Sequence, residues 1–198
     1  MRLRRLRRAE LPLETAALAR FLIGAVVVRE TGAGRLAGRI VETEAYVPGD
    51  ASSHAFRGET GRNRSMFLRR GHAYVYFIYG TSYCLNVSSD RAGIGAAVLL
   101  RAAEPLAGID EIERLRGDAP LRDLLRGPGR LAAGLGIDRR HDGLDLCAKG
   151  SLWLAAASGA SPQIGESVRI GLKREAHRTL RYYERGSPFV SGPSRLNV

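Results

Sequence analysis

The chain has 198 residues, enough for one domain with a sizeable core. Hydrophobic residues make up 44% of it and charged residues 26%, which excludes extensive disorder, a collagen-like chain and a small disulfide-stapled scaffold. The formal net charge is +11, from 31 Lys and Arg against 20 Asp and Glu, and it points to a polyanionic partner, most simply nucleic acid.

In chain order, residues 2–8 (Arg-Leu-Arg-Arg-Leu-Arg-Arg) carry five arginines. They predict a basic arm over residues 1–10 that either follows DNA phosphates or frays into solvent. Residues 11–198 read as a single α+β domain, a mixed, mainly antiparallel sheet surrounded by helices. Leu13, Ala17, Leu18, Phe21 and Leu22 recur at helical spacing before Gly24, so a helix is expected over 13–23. Strands are expected over 25–29 and 35–46, around a turn at 31–34. Residues 47–71, with five Gly or Pro and few aliphatics, predict a long functional loop. Two β-rich runs, 73–78 and 83–88, flank Tyr-Gly-Thr-Ser and predict a protruding hairpin, followed by an apolar strand at 96–103. Helices are expected at 109–116, 121–126 and 130–135, with Gly127-Pro128-Gly129 as a break, then strands at 144–156 and 167–172.

No apolar run reaches bilayer-spanning length, and the N-terminal residues lack the pattern of a secretory signal, so a cytoplasmic protein with no membrane partner is expected. Cys84 and Cys147 lie far apart and read as buried free thiols.

Five of the seven tyrosines (Tyr46, Tyr74, Tyr76, Tyr79 and Tyr83) fall between positions 46 and 83. Packing on a pleated surface accounts for some of them. Tyr79, in the hairpin turn beside Gly80, suits a wedge between bases or a stacking platform instead. By the period-two rule Ile40, Glu42, Glu44 and Tyr46 share one strand face, placing two carboxylates and a phenol beside the long loop. Such a face is either a solvated edge or a site, and Glu42 is left open between a supporting and a solvated role. His54 is the histidine nearest these carboxylates in sequence.

Several runs together resemble the alkyladenine (3-methyladenine) DNA glycosylase family. They are residues 38–46 (Gly-Arg-Ile-Val-Glu-Thr-Glu-Ala-Tyr), His54, 62–67 (Arg-Asn-Arg-Ser-Met-Phe), 74–80, 84–87 (Cys-Leu-Asn-Val), 98–102, 104–106, 127–131 and 185–191. Gly61 stands where that family often has proline. The resemblance implies a monomeric, nucleoid-associated DNA repair enzyme acting on duplex DNA with alkylated or deaminated purines. It would flip the damaged base, hydrolyse its N-glycosidic bond and leave an abasic site. By the same resemblance Glu44 is the general base that activates water, and Arg101 holds Glu44 and that water. Tyr46, His54 and Tyr76 wall the base pocket, Asn86 excludes guanine, and Tyr79 fills the gap left in the duplex. A backbone carbonyl near Ile170 contacts the water, and Thr60, Arg62, Arg64 and Met66 fall where backbone contacts are implied.

The residue chemistry agrees. A purine alkylated at N3 or N7 is cationic, so it stacks well on tyrosine rings and is already a good leaving group. No metal is expected, because no third His or Cys lies at useful spacing, and no cofactor is called for. The two lysines, Lys149 and Lys173, lie outside the motif region, so a one-step hydrolase is expected rather than an amine nucleophile. One rival is a non-catalytic basic module that binds single-stranded nucleic acid through stacking tyrosines; it leaves Glu44 beside Tyr46 unexplained. Another is a hydrolase or transferase acting on a nucleoside, against which the +11 charge and Tyr79 both argue.

Overall fold

The computed structural model describes residues 3–78, 80–117, 119–157 and 161–197. Helix α1 (Thr15–Phe21) starts where the Glu14 carboxylate accepts the N–H groups of Ala16 and Ala17, at 2.8 and 2.5 Å. It ends before Gly24, whose φ of +85° favours glycine. Strands β1 (Val26–Thr31) and β2 (Gly34–Tyr46) follow as a hairpin. Strands β3 (Ala73–Ile78) and β4 (Ser82–Ser88) pair from Ala73 opposite Val87 to Ile78 opposite Ser82. Strand β5 (Ala97–Ala107) leads into α2 (Ile109–Arg116), then α3 (Pro128–Gly134), β6 (Leu152–Ala155), β7 (Ile164–Ser167) and β8 (Arg181–Glu184).

The fold is α+β, one curled sheet in the order β3-β4-β5-β2-β1-β6, with β8 also on β2 and β7 beyond it. Every pair among the described strands is antiparallel, so the sheet is not mixed. Its main core gathers Leu18, Leu22, Val27, Ile40, Leu100 and Leu154, and α1 is tied to β2 by the Thr43 hydroxyl donating to Ala19 O at 2.9 Å.

Strand β2 forks the sheet. Along one edge it pairs with β5; along the other it pairs with β1 through Arg39 and with β8 from Glu42 to Glu44. At the fork the β2–β5 register slips twice: Ile40 faces Ala103, Glu42 faces Ala102 and Thr43 faces Leu100. Val41 is therefore the extra residue on β2 and Arg101 the extra residue on β5, a pair of offsetting bulges. The first corrects the simple alternation. Ile40 stays in the main core, whereas Val41 packs with Ala102, Tyr183 and Val190. Ile40 thus does not share the face of Glu42 and Glu44.

Other elements shift for local reasons. The 121–126 run yields only a 3-10 turn, Leu121–Asp123, and the expected break at Gly127-Pro128-Gly129 starts α3, with Pro128 in its first turn. The 144–156 run is a strand only from Leu152, because Asp145 takes the Cys147 N–H in a turn. The 167–172 strand moves back to β7, and 168–172 become a loop that serves the site below. Residues 4–6 of the basic segment extend the free edge of β6. Leu6 is buried and donates to Leu154 O, and Arg5 lies 4.1 Å from the Trp153 ring.

Candidate active site

The two bulges aim three charged groups at one another. Arg101, the bulged residue of β5, places Nε 3.0 Å from Glu42 Oε1 and Nη1 3.2 Å from Glu44 Oε1. Both carboxylates are fully buried. Glu42 also accepts from Arg181 Nε at 2.7 Å and from the Ser191 N–H at 2.7 Å. Burial opposes its ionisation, but Arg101, Arg181 and the Ser191 N–H outweigh that and hold its pKa below the usual carboxylate range. Burial likewise works against the charge on Arg101, yet Glu44 and Glu42 together raise its pKa.

Glu44 is held from three sides. Besides Arg101, the Ile170 N–H reaches Oε1 at 2.7 Å and the Tyr46 hydroxyl reaches Oε2 at 3.0 Å. Burial, then the Glu44 charge, push the Tyr46 phenol far above its ordinary pKa, so it keeps its proton and donates. Arg169 sits 4.8 Å from the centre of the Tyr46 ring, donates to Ala45 O at 3.0 Å and pairs with Asp50. The side chains of Arg169 and Asp50 are both fully buried. The buried charges therefore alternate along the site: Arg181, Glu42, Arg101, Glu44, Arg169, Asp50.

Over this cluster opens a cavity of about 380 Å³, a volume in the range of small-molecule sites. Tyr46, His54, Tyr74, Tyr76, Asn86 and Arg101 line it, with Met66, Cys84 and the Ile170 loop. Tyr74 and Tyr76 are two apart on β3 and so share a face; their rings lie 5.4 Å apart. His54, from the 47–71 loop, packs edge-on to Tyr76 at 4.6 Å, and its Nδ1 meets the Tyr74 hydroxyl at 2.8 Å. Burial, then Arg62, lower the His54 pKa and favour the neutral ring. Asn86, opposite Tyr74 in the ladder, is pinned by its Nδ2 donating to Tyr74 O at 3.1 Å. Gly129 lets α3 close in on β4: a Cβ there would lie 3.0 Å from the Cβ of Ser82.

A model of methylpurine-DNA glycosylases matches residues 10–188. A protein of Mesorhizobium japonicum, named "Putative 3-methyladenine DNA glycosylase", is 63% identical over 96% of this chain and 91% of its own length. One of Paraburkholderia phytofirmans with the same name is 52% identical over 96% of this chain and 90% of its own. The chain belongs to the methylpurine-DNA glycosylase family.

Of the glycosylase residues expected from sequence, Glu44, Arg101, Tyr46, His54, Tyr76 and Asn86 converge on this one cavity or the carboxylate beneath it. Tyr79 lies outside the described residues. Met66 is buried against Tyr74 and Ala97 and lines the cavity. Thr60 hydrogen-bonds to Asn63 at the start of the turn carrying Arg64, and Arg62 donates to Phe77 O at 3.2 Å; Thr60, Arg62 and Arg64 are exposed. Sequence reasoning missed Arg181, Arg169, Asp50 and Tyr74. Tyr74 carried a signal, its period-two relation to Tyr76. No group of three His, Cys, Asp or Glu side chains able to hold a metal occurs among the described residues, and no described helix is long and apolar enough to cross a membrane.

Proposed function

We propose that this chain removes alkylated or deaminated purines from duplex DNA by hydrolysing the N-glycosidic bond, leaving an abasic site and an intact backbone. The observation that carries the reading is Glu44: a fully buried carboxylate, oriented by Ile170, Tyr46 and Arg101 beside an aromatic cavity in a chain of net charge +11. DNA phosphates repel a bare anion, so a carboxylate at this place calls for a chemical role.

In the reaction the base is turned out of the stack, a step that costs a few kcal/mol and least where pairing is already damaged. It enters between Tyr46, His54 and Tyr76. A water oxygen attacks the sugar C1′, and the C1′–N bond breaks with its electron pair going to the base. A base alkylated at N3 or N7 leaves neutral by this route, without a proton donor. Glu44 takes the water proton and, while ionised, offsets the positive charge that develops on the sugar. Arg101 and the Ile170 N–H aim the carboxylate, and the Tyr46 hydroxyl braces its other oxygen. Where the Tyr74 hydroxyl donates to His54 Nδ1, a neutral His54 would carry its proton on Nε2 and could donate it within the pocket. Tyr79 is the side chain that fills the vacated stack in this reading, and Asn86 crowds the 2-amino group of guanine.

The test is incubation with a duplex carrying a single hypoxanthine or a single alkylated purine, followed by alkali to reveal abasic sites. Release of free base with strand cleavage only after alkali is expected. Binding without release in both duplexes would decide for the binding module, and an adduct trapped by borohydride would overturn the one-step hydrolysis.

A further inference from the structure

The family match ends at residue 188, yet the charge cluster is completed by groups beyond it. Arg181, fully buried on β8, gives Nε to Glu42. Its other nitrogens are held by the tail: Nη1 donates to Leu196 O at 2.9 Å, and Nη2 donates to Ser191 O at 3.1 Å and Asn197 Oδ1 at 2.6 Å. The 3-10 turn Ser194–Leu196 brings Asn197 back onto the guanidinium. Gly192 sits against Ile170, so close that a Cβ would lie 2.4 Å from Ile170 Cδ1. The tail thus touches two of the three groups that hold Glu44: Ile170 through Gly192, and Arg101, whose Nη2 lies 3.5 Å from Ser191 Oγ.

We propose that residues 191–197 are a positioning element of the active site, holding Arg181 and Glu42 so that Arg101 stays turned toward Glu44. The inference rests on the glycosylase reading above. An arginine beside a carboxylate tends to form a two-pronged pair with both oxygens. Here that fork, which pairs Nε with Nη2, is blocked: Arg181 shares Glu42 Oε1 with Arg101 Nε, the Ser191 N–H occupies Oε2, and Arg101 Nη2 is turned to Ser191 Oγ at 3.5 Å. Arg101 is left with Nη1 free to meet Glu44. Arg181 also holds Ser191 through its carbonyl, so if Arg181 or its tail contacts loosen, the Ser191 N–H leaves Oε2 and Glu42 keeps one cation and an open oxygen. Arg101 then rotates into the full fork and withdraws Nη1 from Glu44. The groups facing Glu42 are Arg101 from β5, Arg181 from β8 and the Ser191 N–H from the tail, with Glu44 reached through Arg101.

The experiment uses full-length variants and single-turnover excision of hypoxanthine, with affinity for a duplex carrying an abasic analogue and thermal midpoint measured alongside. Asn197→Ala is expected to slow excision roughly tenfold and Arg181→Met about 10²-fold, the scale of a misplaced catalytic group. Abasic-duplex affinity should stay within about twofold, as expected when orientation alone is lost. Asn197→Asp keeps the acceptor for Arg181 and should restore the rate. The proposal is overturned if both removal variants excise at the wild-type rate. It is equally overturned if rate and affinity fall together with the folded fraction, or if Asn197→Asp is as slow as Asn197→Ala. Failure of the wild type to release any base would instead bring down the glycosylase reading, and this inference with it.

Discussion

Ile170 donates its main-chain N–H to Glu44 at 2.7 Å, although 126 residues separate the two in sequence. The carboxylate therefore meets donors only: this N–H, the Arg101 guanidinium and the Tyr46 hydroxyl. An amide in its place would keep an acceptor for Ile170 and Arg101 but would put its NH2 where the Tyr46 hydroxyl now donates, forcing that hydroxyl to turn into an acceptor.

Glu44→Gln should consequently abolish measurable excision. Loss of a general base typically costs about 10²–10⁴-fold in rate, and loss of the anion beside the charged sugar adds to it. Affinity for a lesion duplex should hold or tighten, since one anion near the phosphates is gone. Single-turnover kinetics with binding isotherms measure both; wild-type excision by the variant would remove Glu44 from the mechanism.

Glu42→Gln should act first on stability. Its partners Arg101 Nε, Arg181 Nε and the Ser191 N–H are again all donors, and Arg181 is fully buried. Removing one member of a buried ion pair typically costs about 3–5 kcal/mol. A shift of the denaturant midpoint of that order is expected. A variant as stable as the wild type would show that the buried arginines find other compensation.

How far the site was legible follows from where its residues lie. Glu44 and Tyr46 share a strand face by simple alternation, and His54 falls in a loop whose length and glycines already marked it as functional. Ile40 was misplaced because a bulge cannot be counted from period two; Val41 is an ordinary β residue until β5 slips past it. Arg181 and Arg169 were invisible among so many arginines. Their roles depend on β8 docking at the fork of β2 and on the 168–172 loop folding back, which are long-range contacts with no local pattern. The strand over 144–156 failed for the opposite reason: an Asp145 side-chain turn overrode apolar residues that favour extension.

Affinity for undamaged duplex should fall steeply with salt. The net charge of +11 implies release of counterions on binding, with a log–log slope of about −0.9 per phosphate neutralised. Titrations across a salt series measure the slope, and a flat response would contradict an electrostatic footprint.

Stability should be greatest near neutral pH and fall on the acid side. Burial, then Arg62, lower the pKa of His54 beneath the ordinary 6.5; burial, then Arg29, do the same for His141. The unfolded chain therefore takes up these protons first as pH drops. The stability they contribute is present above about 6.5 and is lost as pH falls toward the folded values. Glu42 and Asp50, held below their usual range by arginines despite burial, add further loss at lower pH, as their folded pKa values are passed. Thermal midpoints from neutral to mildly acidic pH should decline steadily, and His141→Gln should flatten the first part. A midpoint that rises on acidification would reverse the sign argued here.

Asn86→Ala should open the pocket to undamaged guanine. Asn86 is fixed in the β3–β4 ladder opposite Tyr74, and its Nδ2 is committed to Tyr74 O, so the side chain cannot swing aside to admit a larger edge. Truncation leaves the aromatic walls of Tyr46, His54 and Tyr76 in place, and in the proposed reading these rings stack any purine. The lost hydrogen bond costs only about 0.5–1.5 kcal/mol, so the protein should remain folded. Hypoxanthine differs from guanine by the missing 2-amino group alone, which makes it the internal reference. Its excision should change by no more than a few-fold, the scale of a trimmed pocket contact, while slow release of guanine from undamaged duplex becomes measurable. Release of free guanine, quantified by chromatography against hypoxanthine from a matched duplex, gives the ratio. If that ratio stays at the wild-type value while hypoxanthine excision is preserved, guanine is rejected elsewhere, with the His54 side of the cavity the next place to test.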